Sequence, residues 1–190
     1  KAILFAGSPS AGEEELLMEL DAAISDGRLP ANIHVIYKPH PKNRLTFIES
    51  SLKLKGIEFS HISHFEEKNF SEWTELDVYP ILLSAADAMI TPYSTMALES
   101  AIFSSPVLCI PRGGRPPEWY YRYMRHLHVF KEAPWALHCF DLKEFIPNVK
   151  KLIDISNDDN MREHIKADSR GIVFNNDYCY ADRIVQMVDE

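Results

Sequence analysis

The sequence predicts an α/β protein, a Rossmann-like three-layer α/β/α sandwich with a mostly parallel sheet. Short apolar segments of strand length alternate along the chain with segments that carry apolar residues at helical spacing. This alternation is typical of parallel sheets, because each return to the sheet requires a crossover helix. The length of 190 residues fits one domain with a sizeable core. We therefore expect residues 1–190 to form a single domain.

Six segments are predicted to be strands, because each is apolar or alternates in polarity and is bounded by glycine, proline or polar residues. They are Ala2–Ala6, Ile33–Tyr37, Ile57–His61, Ala88–Ile90, Ser105–Pro111 and Ala136–Phe140. The fourth strand is expected to stop at Ile90, since Pro92 lacks an N–H and biases Thr91 away from helix.

The segments between these strands, and those after the last strand, are predicted to be helices from their apolar periodicity. They are Glu13–Ser25, Leu45–Leu54, Asp77–Ala86, a helix capped by Ser94 or Thr95, Leu142–Ile155, Met161–Ser169 and Tyr178–Val188. Pro80 is expected in the first turn of its helix, and Asp141 is expected to cap the helix that follows it. Pro147 is expected to kink or shorten that helix.

Net charge argues for a small ligand. The chain carries 20 Lys and Arg against 28 Asp and Glu, a formal charge of −8, so no nucleic-acid partner is expected. Positive charge is concentrated in two segments, which contain His34, Lys38, His40, Lys42 and Arg44, and Arg112, Arg115, Arg122 and Arg125. Basic patches on an acidic chain favour a small anionic ligand.

Cysteine usage and the lack of long apolar runs indicate a cytoplasmic protein. Cys109, Cys139 and Cys179 are far apart and lack metal-ligand spacing, so buried free thiols in a reducing compartment are expected. No run is long enough to span a bilayer, and no signal peptide is visible. Since the chain starts at Lys1 without a methionine, we expect a fragment of a longer protein.

Residues 87–101 form the segment around which we expect a ligand site to be built. A strand, a tight turn and a helix N-terminus follow one another there, and free backbone N–H groups make such a turn a phosphate site. Ser94 and Thr95 add hydroxyl donors, and Glu99 is placed to accept hydrogen bonds from ribose hydroxyls. The alternative is an ordinary capped helix with Glu99 solvated. The inner face of this helix is expected to carry Leu98, Ala101 and Ile102.

Three further loops follow predicted strands and carry candidate binding residues. The loop that begins at Lys38 is stiffened by two prolines flanking His40, and its cations make it a candidate anion site. The loop at Gly7 and Ser8 and the loop at Arg112 either let a phosphate approach closely or are plain connections. Loops at the carboxyl ends of parallel strands open on one edge, where ligands bind. We therefore expect the four loops to meet.

Two other groups of residues have more than one interpretation. His61 and His64 are close enough to be a metal pair, but no carboxylate or cysteine sits at matching spacing on the same element, and no metal is expected. The aromatic residues within Trp119–Tyr123 either stack on a base or sugar or, more commonly, pack in the core.

Three patterns carry a resemblance to a known family. They are Lys38-Pro39-His40-Pro41, Asp77-Val78-Tyr79 with Leu82-Leu83, and the run from Ala86 to Thr95 with Glu99. Together they resemble the carboxyl-terminal donor-binding domain of GT-B glycosyltransferases over residues 33–110. The likeness is closest to the CDP-glycerol glycerophosphotransferases of teichoic acid synthesis, and capsule sialyl- and Kdo-transferases share much of the pattern. The glycerophosphotransferases usually have an aspartate where Pro92 stands.

The resemblance implies a nucleotide-binding domain that is the GT-B C-terminal half of a two-domain enzyme. Its donor is a nucleotide-activated sugar or glycerol, carrying CDP, CMP or UDP, used in surface polysaccharide synthesis. No cofactor and no metal are implied. The acceptor site belongs to a missing N-terminal domain, so this domain alone is expected to be inactive. The full-length protein is expected to be a transferase that associates peripherally with the inner face of the membrane.

The same resemblance assigns roles to residues. His40 faces the donor phosphate and is the implied catalytic residue, while Ser94 and Thr95 bind the phosphates and Glu99 holds the ribose. Charge that develops on the leaving phosphate is stabilised by fixed donors without a metal. Beside these, the phosphate-binding candidates from the loops are Gly7, Ser8, Lys38 and Arg112.

Two other functions stay open. A UDP-sugar 2-epimerase-like enzyme uses the same phosphate turn, but it needs acid/base carboxylates that the sequence does not place. A non-catalytic α/β module would instead bind a partner protein through an exposed aromatic patch within Trp119–Tyr123.

Overall fold

The computed structural model describes residues 1–7, 13–40, 54, 56–59, 75–110 and 115–172. Its strands are β1 (Ala2–Ala6), β2 (His34–Lys38), β3 (Ile57–Phe59), β4 (Ala88–Pro92), β5 (Val107–Ile110) and β6 (Ala136–His138). They form one sheet in the order β3-β2-β1-β4-β5-β6, and every pair of neighbours is parallel. This is the strand order of Rossmann folds, and it confirms the predicted fold class.

The described helices connect these strands and follow the last of them. They are α1 (Glu13–Ser25), α2 (Glu75–Ala85), α3 (Thr95–Ile102), α4 (Pro117–Tyr123), a 3₁₀ helix (Arg125–Lys131), α5 (Leu142–Ser156) and α6 (Asp159–Ile172). The Asp141 carboxylate accepts a hydrogen bond from the Lys143 N–H at 2.9 Å, so the predicted cap of α5 is confirmed.

Two hydrophobic cores cover the two faces of the sheet. Phe5 belongs to one core and packs in a cluster with residues of α1 and α5, among them Leu17 and Val149. Leu4 belongs to the other, together with residues such as Ala97 of α3. Neighbouring residues of a strand point to opposite faces, so a strand buried on both sides is apolar throughout. This explains why the central strands β1, β4 and β5 are largely apolar runs.

Three prolines behave differently from their sequence predictions. Pro92 is the last residue of β4 and pairs with Ile110 of β5. On the other side, β1 pairs with β4 only as far as Ile90, so the N–H that Pro92 lacks is not needed there. Pro80 lies inside α2 instead of in its first turn, since the helix begins at Glu75. Pro147 does not shorten α5, which continues to Ser156.

The inner face of α3 also differs from the prediction. Ala97, Ser100 and Ala101 are buried, whereas Leu98 is half-buried and Ile102 is 41% exposed. Small side chains let the helix approach the sheet closely, so the larger apolar residues lie on its flanks. As a consequence, Ile102 is left to line the cavity described below.

Other predictions are confirmed or fall outside the described part of the chain. Cys109 and Cys139 are buried free thiols, and burial raises the pKa of Cys139 to about 11. None of the helices described has the length and apolar character needed to cross a bilayer. The predicted features outside the described residues are Ser8, the helix over 45–53, His61, His64, Arg112, Cys179 and the helix over 178–188.

Candidate functional site

The candidate site is a cavity of about 580 Å³ at the carboxyl edge of the sheet. In the sheet β1 lies between β2 and β4, so the strand order changes direction between β1 and β4. Chain segments that leave such a switch point diverge to opposite faces and open a crevice for ligands. Gly7 after β1, Lys38 at the end of β2 and Ser94 after β4 all line the cavity.

Six residues predicted from the sequence as binding residues line this one cavity. They are Gly7, Lys38, His40, Ser94, Thr95 and Glu99. Their roles in binding stay predictions, as do those of Ser8 and Arg112, which lie outside the described residues. The cavity also has a largely apolar wall that the sequence did not assign to a site, formed by Tyr79, Pro80, Leu83, Met96, Ile102 and Phe103.

Gly7 holds the carboxyl ends of β1 and β2 together. Its N–H donates a hydrogen bond to the Lys38 carbonyl at 2.7 Å. A Cβ atom at this position would lie 3.1 Å from the His40 nitrogen, 3.1 Å from the Pro39 Cα and 2.7 Å from Glu13 Oε2. A side chain here would press on the His40 loop and on the Glu13 carboxylate, so glycine favours the close approach of that loop to β1.

Glu13 supports the wall behind Gly7, a position that the sequence did not indicate. Its side chain is buried, at 6% exposed, and its Oε2 accepts a hydrogen bond from the Tyr37 hydroxyl at 2.7 Å. Burial is the main cause that raises the pKa of Tyr37, and the neighbouring Glu13 carboxylate raises it further. The Tyr37 phenol therefore stays neutral and donates its hydrogen bond to Glu13, whose Oε2 lies directly behind Gly7.

Lys38 brings a cation to the cavity wall. The residue is 5% exposed, and its Nζ lies 4.2 Å from the centroid of the Tyr79 ring. A cation over an aromatic face gains about 0.5–2 kcal/mol, more where water is excluded. A lysine held in this way presents positive charge to an anionic ligand from a low-dielectric environment, where the attraction is strong.

The turn between β4 and α3 places two hydroxyl groups at the cavity. Ser94 is the N-cap of α3, and its side chain makes no cap hydrogen bond; its hydroxyl forms a hydrogen bond with Thr91 Oγ1 at 3.3 Å instead. Ser94 and Thr95 both line the cavity, beside the N-terminus of α3. A helix N-terminus that the cap side chain does not occupy favours an anion at that end.

Glu99 provides negative charge on the same cavity, one helical turn beyond Thr95. Burial raises the pKa of its carboxyl group, since the low-dielectric environment disfavours the charged form. Lys38 supplies a positive group, His40 an imidazole, and Glu99 an acceptor. This distribution matches a ligand that has an anionic part and a part rich in hydroxyl groups.

A second hollow, of about 860 Å³, lies between the 3₁₀ helix, α3 and α6. It is lined by Leu98, His126, His128, Val129, Lys131, Glu132, Ala133, Pro134, His164 and Asp168, none of which belongs to a strand. The charges there are mixed, and the Asp168 carboxylate already accepts a hydrogen bond from Trp135 Nε1 at 2.7 Å. Among the residues described, no group of three or more His, Cys, Asp or Glu is arranged to hold a metal ion.

The aromatic segment Trp119–Tyr123 is divided between core and surface. Tyr120 is buried at 2% exposed, whereas Tyr123 is 63% exposed. The Arg115 guanidinium lies 3.9 Å from the centroid of the Trp119 ring. The core role predicted for this segment therefore applies to Tyr120 and in part to Trp119 and Tyr121, which are half-buried against the same core.

Comparison with known proteins places the fold among solved structures. No family model and no curated protein matches the sequence. A structure of MnaA from S. aureus with UDP matches at 13% identity and a TM-score of 0.55, over 89% of this chain and 40% of that one. The C-terminal domain of LpcC, a glycosyl transferase group 1 family protein from Francisella tularensis, matches at 15% identity and a TM-score of 0.54. This match covers 92% of the present chain and 85% of the other.

The class defined by fold and site is a Rossmann-like α/β/α domain with a polar cavity at its switch point. At 13% and 15% identity, the two matches establish the fold and not the reaction. The chain spans about 40% of the matched MnaA chain and corresponds to most of one domain of LpcC, which is a glycosyltransferase by name.

Proposed function

We propose that this chain is the donor-nucleotide-binding domain of a glycosyl- or glycerophosphotransferase in surface polysaccharide synthesis. The proposal is carried by one observation: six residues from the loops after β1, β2 and β4 and from α3 line a single cavity at the switch point. A polar cavity there, with cations at one part and a carboxylate at another, suits a nucleoside diphosphate.

Each residue has a role in this proposal. Lys38 and His40 face the donor phosphates, and the hydroxyl groups of Ser94 and Thr95 bind them at the start of α3. Glu99 accepts hydrogen bonds from the ribose hydroxyls. Gly7 lets the phosphate approach the backbone, and Ser8 and Arg112 extend the same set from their loops.

The proposed chemistry is stabilisation of the leaving nucleotide. Glycosyl transfer breaks the bond between the sugar carbon and the nucleotide phosphate oxygen, whereas glycerophosphate transfer breaks the pyrophosphate P–O bond. In both cases the transferred group forms a new bond to an acceptor hydroxyl, and negative charge develops on a phosphate oxygen of the leaving nucleotide. Fixed donors that surround this oxygen lower the barrier without a metal. A protonated His40 would add positive charge at the same place, so His40 is the proposed catalytic residue.

Two features of the comparisons support a nucleotide-binding domain that works together with a second domain. MnaA was solved with UDP and shares the fold, so the fold accommodates a nucleotide in at least one protein. The chain corresponds in extent to a single C-terminal domain of LpcC. In our proposal the acceptor and its binding site come from a separate N-terminal domain, and this chain alone binds the donor without transferring it.

Calorimetric titration of the intact protein with CMP, CDP, UDP and GDP tests the proposal. We expect at least one nucleotide to bind below the millimolar range, with the preferred base identifying the donor. Lys38→Met should weaken the binding about 10- to 100-fold, because a hydrogen bond to a charged group contributes about 1.5–3 kcal/mol. Lys150→Met is the matched control, since Lys150 is exposed on α5 and does not line the cavity. Absence of binding for all four nucleotides at millimolar concentration would overturn the proposed function.

A further inference from the structure

We propose that His138, at the end of β6, is a positioning residue for the candidate phosphate turn and acts on it through Tyr93. The effect that we infer on nucleotide affinity rests on the proposed function. The physical link itself, from His138 to Ser94 and Thr95, is a property of the fold. Nothing in the sequence pattern connects these residues, since 45 positions separate Tyr93 and His138.

Tyr93 is fixed by two neighbouring rings. It is 2% exposed, and the Tyr120 ring stacks on it with centroids 4.3 Å apart and an interplanar angle of 15°. The half-buried His138 ring lies beside it in nearly the same plane, with centroids 5.6 Å apart and an angle of 6°. The burial of Tyr93 and its stacking on Tyr120 leave its side chain little freedom to rotate.

Hydrogen bonds define the orientation of the His138 ring beside Tyr93. Nε2 lies 3.1 Å from the Phe130 carbonyl oxygen, and Nδ1 lies 2.6 Å from the Tyr93 hydroxyl. A carbonyl oxygen only accepts, so Nε2 carries the hydrogen in the neutral ring. Nδ1 is then the acceptor, and the Tyr93 hydroxyl donates to it. The ring thus ties the turn after β4 to the 3₁₀ helix.

The bond from Tyr93 acts on the turn because Tyr93 is part of it. Pro92 ends β4, Tyr93 follows, and Ser94 is the extended N-cap of α3 with φ −154° and ψ 169°. Since only Tyr93 separates the strand from the cap, the direction of its side chain constrains where the Ser94 and Thr95 groups face. A small change in this direction displaces the donors from a bound phosphate, and such displacement weakens binding.

His138 is also a titratable member of this cluster. Burial lowers its pKa, although the Phe130 carbonyl acts in the opposite direction. The groups that face its ring are the hydroxyls of Tyr93 and Tyr121, and Cys109 is its neighbour on β5; burial raises the pKa of all three. The 3₁₀ helix that carries Phe130 also bears His126, His128 and Lys131, of which His128 contacts the Tyr121 ring, and α4 bears Glu118, Tyr120 and Arg122. Protonation at Nδ1 turns an acceptor into a donor. The Tyr93 hydroxyl must then reverse its hydrogen bond.

Two measurements on the intact protein test the link. The first is the amide chemical shifts of Ser94 and Thr95, followed by NMR from about pH 8 to about pH 5. We expect these amides to titrate with the same midpoint as the His138 ring in the wild type and to lose that step in Tyr93→Phe and in His138→Gln. The wild-type titration needs no variant, so it stands even where a substitution impairs folding. Amides that ignore the His138 titration would overturn the inference.

The second measurement is calorimetry with CDP and UDP. We expect Tyr93→Phe, which keeps the ring stack and loses the hydrogen bond, to bind the preferred nucleotide roughly three- to tenfold more weakly than the wild type. Tyr123→Phe is the matched control and should bind normally, since Tyr123 is 63% exposed. Wild-type affinity in Tyr93→Phe would contradict the positioning role. If the wild type binds neither nucleotide while the amides still titrate with His138, the proposed function fails and the link between His138 and the turn is supported.

Discussion

Replacement of Gly7 by alanine is the most informative single change, because its cost is set by three measured approaches. The added Cβ would lie 2.7 Å from Glu13 Oε2 and 3.1 Å from the backbone of both Pro39 and His40. The carboxylate cannot move freely, since it is buried and accepts the Tyr37 hydrogen bond. The two backbone atoms belong to the loop that brings His40 to the cavity. We therefore expect the substitution to shift that loop away from β1 by a few tenths of an ångström and to disturb the Glu13 hydrogen bond.

The expected size of the effect follows from the cost of overpacking. Extra methyl groups in a well-packed site cost about 1–3 kcal/mol. In a domain of this length each kcal/mol lowers Tm by about 2–4 °C, so Gly7→Ala should lower Tm by roughly 2–12 °C. We also expect weaker nucleotide binding, because the displaced loop carries Lys38 and His40. Thermal unfolding by circular dichroism measures the first effect and calorimetry with CDP or UDP the second.

Gly27→Ala is the matched control for this experiment. Gly27 has φ +78° and no atom within 4 Å of an added Cβ, so alanine there meets strain from the left-handed backbone and no steric contact. The cost is about 1–2 kcal/mol, comparable in size, but it arises far from the cavity wall. Gly7→Ala should therefore lower both Tm and affinity, and Gly27→Ala only Tm. A Gly7→Ala protein with unchanged Tm and unchanged affinity would refute the close packing of the two loops.

Three further predictions concern stability. Asp141→Ala should cost about 1 kcal/mol by loss of the α5 cap, measured by urea unfolding; an unchanged midpoint would contradict the cap. Burial acts to raise the pKa of Asp87, but hydrogen bonds from the Ala2 N–H and the Lys1 ammonium lower it overall. The ionised Asp87 therefore stabilises the folded protein above the ordinary pKa of an aspartate, and this stabilisation is lost as the pH falls through the lowered pKa. Asp87→Asn should therefore destabilise the protein at neutral pH and converge with the wild type in acid; an equal deficit at both pH values would exclude this linkage. Trp135→Phe removes the hydrogen bond from Trp135 Nε1 to the Asp168 carboxylate, and we expect it to lower Tm. An unchanged Tm would show that this hydrogen bond does not stabilise the protein.

Local patterns predicted the strand–helix alternation and hence the fold. Leu4 and Phe5 point to different cores, so β1 had to be apolar at every position, and this is visible in the sequence. Asp141 was identifiable as a cap because capping is a contact between near neighbours, here Asp141 and Lys143. Interactions of this range leave a signature in consecutive residues.

Long-range contacts explain what the sequence did not indicate. Glu13 resembles any acidic residue of a first helical turn, and only the fold places it against Tyr37. The sequence around His138 indicates only a strand, and its hydrogen-bond partner Tyr93 lies in the turn after β4. Pro92 was assigned to a turn because the local preference of proline takes no account of the neighbouring strands. In the sheet the missing N–H is harmless, since Pro92 lies at the end of β4. Such roles depend on strand order, which local periodicity does not specify.

The central claim is that the cavity at the switch point binds the phosphates of a nucleotide. The most direct test is an NMR titration of the intact protein with CDP and UDP, with amide shifts mapped on the structure. The claim predicts that the largest changes occur at Gly7, Ser94 and Thr95, around one cavity. Changes centred instead on His126 and Lys131, at the second hollow, or no change at any amide, would contradict it.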